Sequence, residues 1–181
     1  MEEKTLYTLI IFSENVAGLL NQITSVFTRR QINIESLNVS ASSIEGLHRY
    51  TITCFCDKDT IRKMVGQIEK KIGVVRAQCF TSDDIFIQET ALFKVSTPKM
   101  LEHREISKII RIHSAKIVEV NPTYATVTKD GMTEEILSLF NSLMQWDCVL
   151  QYVRSGAIAI TKNKRELLDE YLAERKERYE A

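Results

Sequence analysis

The fold is decided first at Ser13-Glu14-Asn15-Val16-Ala17-Gly18-Leu19-Leu20, where a pattern typical of a strand changes into one typical of a helix. The residues before this stretch form a mostly apolar run that predicts a buried strand: Leu6, Leu9, Ile10, Ile11 and Phe12. The apolar residues that follow have helical spacing: Leu19, Leu20, Ile23, Val26 and Phe27. Gly18 is therefore expected at the point where the strand turns into the helix.

A helix that begins at Gly18 leaves its first N–H groups without partners inside the helix and carries a partial positive charge at that end. Such an end attracts a carboxylate or a phosphate, and a glycine lets the backbone approach a ligand closely. Asn15 and Gly18 before a helix are, however, also typical of a plain cap and turn. On this stretch alone, both interpretations stay open.

A longer pattern favours the ligand site. The paired Arg29-Arg30 is followed by Asn33-Ile34-Glu35-Ser36-Leu37. Together with Glu14, Asn15, Gly18 and Leu20, with Arg49-Tyr50-Thr51-Ile52 and with Val153-Arg154-Ser155-Gly156, these strings resemble the small subunit of acetolactate synthase (acetohydroxyacid synthase). The amino-terminal part of that family is an ACT domain. The resemblance extends to Thr161 and so covers nearly the whole chain.

Apolar periodicity predicts the order strand, helix, strand, strand, helix, strand twice. In the first half we expect strands at 5–12, 34–40, 47–56 and 74–81, and helices at 19–30 and 58–72. In the second half we expect strands at 89–96, 116–120, 125–128 and 149–154, one helix capped by Thr97 and begun by Pro98, and a last helix carrying Ile136 to Met144. The fold class is thus α+β, with two tandem ferredoxin-like (βαββαβ) domains.

Three segments are expected. Residues 1–82 form the ACT regulatory domain, 83–162 the carboxy-terminal ferredoxin-like domain of the small subunit, and 163–181 a charged amphipathic C-terminal helix. The helix has an apolar stripe among charged residues: Leu167, Leu168, Tyr171 and Leu172. It either packs on its own domain or docks on another chain.

Composition limits the partners. Lys plus Arg equals Asp plus Glu at 24 each in 181 residues, so no overall basic charge exists to hold nucleic acid or an anionic membrane. No apolar run approaches the roughly 20 residues that span a bilayer. The stretch Met1-Glu2-Glu3-Lys4 does not resemble a secretory signal. We expect a cytoplasmic protein that binds proteins and small molecules.

The sequence contains no recognisable catalytic set or metal site. Cys54 and Cys56 would face one side of a strand, either as buried apolar residues or as soft-metal ligands, and the lack of other ligands near them favours burial. Glu14 and Glu35 have no nucleophile, metal set or cofactor loop to act with. We expect a non-catalytic protein in which Glu35 pairs with Arg29, Arg30 or Arg49.

The resemblance implies a regulatory subunit in branched-chain amino acid biosynthesis. Such a subunit binds the catalytic large subunit of acetolactate synthase, raises its activity and confers feedback inhibition by L-valine. It has no cofactor of its own, because thiamine diphosphate and magnesium belong to the catalytic partner. An apolar pocket separates valine from leucine and isoleucine by only about 1–3 kcal/mol, so the choice of valine comes from the family alone.

The resemblance also implies where valine binds. Two chains pair through their ACT domains, and the effector lies between the first strand-to-helix loop of one chain and the second-strand region of the other. The backbone N–H groups of Val16, Ala17, Gly18, Leu19 and Leu20 would receive the carboxylate. Asn15 and Asn33 would hold the ammonium, and Ile34 would line the side-chain pocket.

Two positions depart from the family pattern. Gln31 stands where glycine is common, so the first helix would end without the residue best suited to a left-handed cap. Ala17 stands where proline or serine is often seen.

Two other functions stay open. A free-standing ACT-type amino-acid sensor that controls another enzyme or transcription would share the first domain, but it would not explain Arg154-Ser155-Gly156. A purely structural oligomerisation module predicts no ligand-dependent change in stability.

Overall fold

The computed structural model describes residues 4–163, 168–169 and 172–173. The chain divides into two units. The first comprises the residues up to Ile87 together with those from Ala157 onward, and the second comprises Gln88–Gly156. The chain therefore leaves the first unit once and returns to it.

The first unit has the predicted βαββαβ order. Its elements are β1 (Thr5–Glu14), α1 (Leu19–Thr28), β2 (Ser36–Ala41), β3 (Leu47–Cys56), α2 (Lys58–Glu69) and β4 (Val74–Phe80). The strands form an antiparallel sheet in the order β2-β3-β1-β4. The prediction that α2 extends to Ile72 is wrong, because the helix ends at Glu69 and the Ile72 side chain is 94% exposed.

Both faces of this sheet are packed. One face shares a core with α1 and α2, built around fully buried side chains: Leu9, Ile11, Ile23, Phe27, Ile52, Ile61, Met64 and Ile68. On the other face, Ile10, Phe12 and Phe80 pack with Ala159 and Leu168 from the end of the chain. Ala159 and Leu168 thus contribute to the core of the first unit.

The second half repeats the fold with differences. Its elements are β5 (Ile85–Ser96), α3 (Thr97–Glu102), α4 (Arg104–Ile112), β6 (Lys116–Val120), β7 (Tyr124–Gly131), α5 (Thr133–Met144), β8 (Val149–Arg154) and β9 (Ile158–Thr161). The sheet order is β6-β7-β5-β8, and β9 pairs with β5. The prediction of a second ferredoxin-like unit is confirmed, whereas β9 was not predicted.

The predicted single helix after β5 is two helices. His103 separates them with an extended backbone, φ −121° and ψ 100°. The cap is Ser96 rather than the predicted Thr97, because the Ser96 hydroxyl accepts the N–H of Lys99 at 3.5 Å. Thr97 is itself buried, while Pro98 lies in the first turn as predicted.

The segment 157–162, placed in the second domain by the sequence, packs with the first unit. The reason is that Ala159 of β9 joins the apolar cluster of Ile10 and Phe12. The domain limits 1–82, 83–162 and 163–181 stay predictions. Most of the predicted terminal helix lies outside the described residues, but residues 168, 169, 172 and 173 are helical and Leu168 is buried. No helix in the described part of the chain is long and apolar enough to cross a membrane.

Helix α1 ends at a left-handed residue that is not glycine. Gln31 has φ 54°. Its N–H donates to the carbonyl of Thr28 at 3.0 Å, and the N–H of Ile32 donates to the carbonyl of Phe27 at 3.2 Å. This is the hydrogen-bond pattern of a Schellman motif, in which glycine is the usual residue at the position of Gln31. The predicted lack of a suitable cap residue therefore appears as backbone strain.

We expect Gln31→Gly to stabilise the protein by about 1 kcal/mol, because glycine adopts a positive φ without steric cost. The free energy of unfolding is measured by urea titration at fixed protein concentration. The control, Gln22→Gly inside α1, should instead destabilise the protein by about 1 kcal/mol. Destabilisation by both variants would contradict the presence of strain at Gln31.

Candidate functional site

The loop between β1 and α1 is held by backbone hydrogen bonds. The N–H of Glu14 donates to the carbonyl of Gly73 at 2.8 Å, and the N–H of Asn15 donates to the carbonyl of Gly46 at 3.1 Å. These bonds attach the loop to the turns that precede β4 and β3. Gly18 has φ 86°, and no atom lies within 4 Å of the position that a Cβ would occupy. The backbone conformation thus favours glycine, and the space beside it is open.

The N-terminus of α1 has unused donors. The N–H of Val16 donates to the carbonyl of Glu14 at 3.0 Å, and the N–H of Leu19 donates to the carbonyl of Val16 at 3.2 Å. Within the part of the chain that the structure describes, no side chain caps the helix. Among the described residues, no acceptor is found for four N–H groups, those of Ala17, Gly18, Leu20 and Asn21.

This arrangement can bind an anion. Free N–H groups at the positive end of a helix are the donors that a carboxylate prefers. Of the five predicted carboxylate-binding positions, Ala17, Gly18 and Leu20 keep a free N–H, whereas Val16 and Leu19 use theirs within the turn. Leu19 is also buried, and its side chain anchors the helix in the core. That the ligand is an amino acid stays a prediction.

The other two predicted residues lie at the far end of α1. Asn33 and Ile34 follow the helix, which is about 15 Å long. Asn33 is exposed and lines a cavity of about 320 Å³ with Glu35 and Phe55, while Ile34 packs against the core. One chain therefore does not bring Asn33 and Ile34 together with the loop at Gly18, and the predicted site needs residues from two chains.

The predicted ion pair of Glu35 is wrong. In the described part of the chain, Glu35 forms no ion pair within 4 Å. Arg30 donates instead to the side-chain oxygen of Gln67 at 2.8 Å and to the carbonyl of Val26 at 3.4 Å. Arg49 donates to the carbonyl of Ala159.

Sequence reasoning missed the role of Ser36. Its hydroxyl lies 2.7 Å from that of Thr53 on the neighbouring strand and accepts the N–H of Ala157 at 3.3 Å. Ser36 and Arg49 thus both hold the backbone of residues 157–159. The signal was present, since both residues belong to the strings that carry the resemblance, but the partner segment is distant in sequence.

The string Arg154-Ser155-Gly156 fastens β8 to β5 in the second unit. Arg154 lies 3.2 Å from the carboxylate of Glu89, a residue only 7% exposed whose carboxylate also accepts the hydroxyl of Thr133 at 2.8 Å. The N–H of Ser155 donates to the carbonyl of Thr90 at 2.9 Å, and its hydroxyl accepts the N–H of Thr90 at 3.0 Å. These contacts position the end of β8.

The cysteines are free thiols, and Cys54 and Cys56 are buried in the first unit. Desolvation by burial raises the pKa of Cys54 to about 12 and also raises the pKa of Cys56 and Cys79. Residues 4–163 and the four described residues beyond them contain no group of three or more side chains suited to a metal ion. The two thiols therefore act as apolar core residues.

Comparison with known proteins gives consistent matches along the chain. A family model described as the small subunit of acetolactate synthase matches residues 88–163, and the ACT domain model matches residues 7–73. The acetolactate synthase small subunit of Haemophilus influenzae is 26% identical over 160 residues, 88% of this chain and 98% of that protein. The Bacillus subtilis protein of the same name is 29% identical over 165 residues, 90% of this chain and 93% of that one.

A solved structure agrees with these matches. The acetolactate synthase small subunit from Thermotoga maritima is similar with a TM-score of 0.79 and 25% identity, and the similarity covers 88% of this chain and 99% of that chain. Both units of the chain thus have relatives in one kind of protein.

The burial of Cys54 and Cys56 can be tested by alkylation. At about pH 8, iodoacetamide should modify them at least about tenfold more slowly in the folded protein than in urea, because the raised pKa removes the reactive thiolate. Mass spectrometry of the tryptic peptide Tyr50–Lys58 measures both sites, and the urea-unfolded chain is the control. Equal rates in the two states would contradict the core role.

Proposed function

Since the chain belongs to the family of acetolactate synthase small subunits, we propose that it is the regulatory subunit that activates the catalytic large subunit and carries feedback inhibition by valine to it. The observation that carries the proposal is the succession of matches, an ACT domain followed by the part specific to the small subunit. A free-standing sensor would need only the ACT domain. The regulatory role is a cytoplasmic one in branched-chain amino acid synthesis.

In this proposal, the chemistry resides in the partner. The catalytic subunit holds thiamine diphosphate and magnesium and joins pyruvate to another 2-oxo acid. The present chain contributes the surfaces that bind the catalytic subunit and valine, and it changes between an active and an inhibited arrangement. It acts as a homodimer through its ACT domains.

The proposed effector site is shared between two chains. The free N–H groups of Ala17, Gly18 and Leu20 in one chain receive the carboxylate of valine. Asn15 of that chain and Asn33 of the second chain hold the ammonium. Both charged ends need partners, because burial of an unpaired charge is costly. Ile34 of the second chain lines the apolar part of the pocket.

Inhibition requires a difference in affinity. Valine lowers activity only if it binds the inhibited arrangement of the complex more tightly than the active one. A site made from two chains supplies such a difference, since any change in how the chains pair changes the distance between Gly18 and Asn33.

The test is acetolactate formation by the cognate catalytic subunit, with and without this protein, across a valine titration. Stimulation that valine reverses supports the whole proposal. Stimulation without valine sensitivity refutes the proposed effector site but supports the role as a subunit. Absence of any effect favours the free-standing sensor.

We expect Gly18→Asp to weaken feedback strongly while activation survives. The added carboxylate repels that of valine, and the valine concentration for half inhibition should rise about 10- to 100-fold, since hydrogen bonds to charged groups contribute about 1.5–3 kcal/mol. Gly18→Ala is the matched control, because it adds the same backbone strain without charge. Unchanged valine inhibition of the Gly18→Asp holoenzyme would refute the site.

A further inference from the structure

Ser36 connects the segment 33–35, which precedes it in the chain, with the backbone of residue 157. It begins β2, directly after Asn33, Ile34 and Glu35. Its hydroxyl is within 2.7 Å of the Thr53 hydroxyl and accepts the N–H of Ala157 at 3.3 Å. The residue two positions after the segment proposed to contact the effector is therefore hydrogen-bonded to Ala157.

Ala157 is the residue at which the chain returns to the first unit. It is buried, as is Ala159, which packs with Ile10 and Phe12. Arg49 of β3 donates to the carbonyl of Ala159. Residues 157–159 are thus held by one polar side chain from β2 and one from β3.

The residue before them is a glycine with a left-handed backbone. Ser155 is fixed to Thr90 by two hydrogen bonds within the second unit. Gly156 follows with φ 80°, a backbone conformation that glycine adopts without strain. If Ala157 moves, the backbone of Gly156 is the first to adjust, because Ser155 is held by its hydrogen bonds to Thr90.

We propose that Ser36 is a positioning residue that couples the effector site to residues 157–159. Binding at Asn33 and Ile34 shifts the backbone at the start of β2. Because the Ser36 hydroxyl accepts the N–H of Ala157, that shift also moves the backbone of Ala157. The inference rests on the proposed function, because it takes valine as the effector. Ser36 itself does not contact the ligand in this scheme.

The decisive variant is Ser36→Ala, which removes the hydroxyl and keeps the strand. We expect valine affinity of the full-length small subunit, measured by calorimetry, to stay within about twofold, and the ratio of activities without and with saturating valine to fall about fivefold, the factor that one ordinary hydrogen bond supplies. Ser36→Thr keeps a hydroxyl on a residue suited to strands and should restore the ratio.

Ser40→Ala is the matched control. Ser40 lies on the same strand and, among the described residues, has no side-chain hydrogen bond, so its removal should leave both affinity and inhibition unchanged. A general weakening of β2 would lower inhibition in both alanine variants, and that result would overturn the specific role of Ser36.

A measurement on the unmodified protein covers the case in which Ser36→Ala does not fold. Hydrogen–deuterium exchange of the peptide that contains Ala157–Thr161 should change when valine binds, in parallel with exchange at Asn33–Leu37. Valine-dependent exchange at 33–37 without any change at 157–161 would overturn the coupling.

The two hypotheses fail differently. Intact inhibition in Ser36→Ala, with inhibition lost in Gly18→Asp, refutes the coupling and leaves the effector site. Absence of valine binding to the unmodified protein refutes the proposed function and, with it, the coupling.

Discussion

The first sheet has two apolar faces, and the structure depends on covering the second of them with the end of the same chain. Strand β1 is buried on both sides, as its nearly continuous apolar run requires. The helices cover Leu9 and Ile11, but Ile10 and Phe12 need Ala159 and Leu168. Each such side chain contributes about 1.5–3 kcal/mol when it is removed from water, so the return of the chain is a large part of the stability of this unit.

The need to hold the returning chain explains the structural roles of several residues in the strings that carry the family resemblance. Ser36 and Arg49 hold the returning backbone, whereas Ser155 and Arg154 secure the strand that leads to it. The loop at Gly18, in contrast, offers its own backbone donors. Because those donors are N–H groups, a side-chain change at residue 17 affects the site only indirectly, except for proline, which would remove one donor.

Sequence periodicity predicted the fold well where strands are long or alternate clearly. The limits of β3, β6 and β8 agree with the prediction. The break at His103 was not predictable, because no glycine or proline lies between Pro98 and Ile112 to mark the end of a helix. Strand β9 was missed because its residues, Ile158 to Thr161, form a run too short to separate from a loop without knowledge of its pairing with β5.

The candidate site was predictable only in part. The position of Gly18 followed from the change of periodicity, but the loss of the Val16 and Leu19 donors depends on turn geometry that no pattern reveals. The Ser36 contact joins residues 121 positions apart in sequence, and the predicted pairing of Glu35 considered only nearby arginines. Local physics thus located the loop, and tertiary contacts decided what each residue does.

The late position of Ala159 and Leu168 has a consequence for synthesis of the protein. A ribosome delivers the chain from its amino terminus, and the first domain of a protein usually folds before the next one emerges. Here the βαββαβ elements of the first unit are complete at Phe80, yet two of the residues that pack with Ile10 and Phe12, Ala159 and Leu168, are made only after the whole second unit. Until then, one apolar face of the nascent first unit lacks part of its cover. The second unit, whose residues are contiguous, can therefore complete its fold before the first unit does.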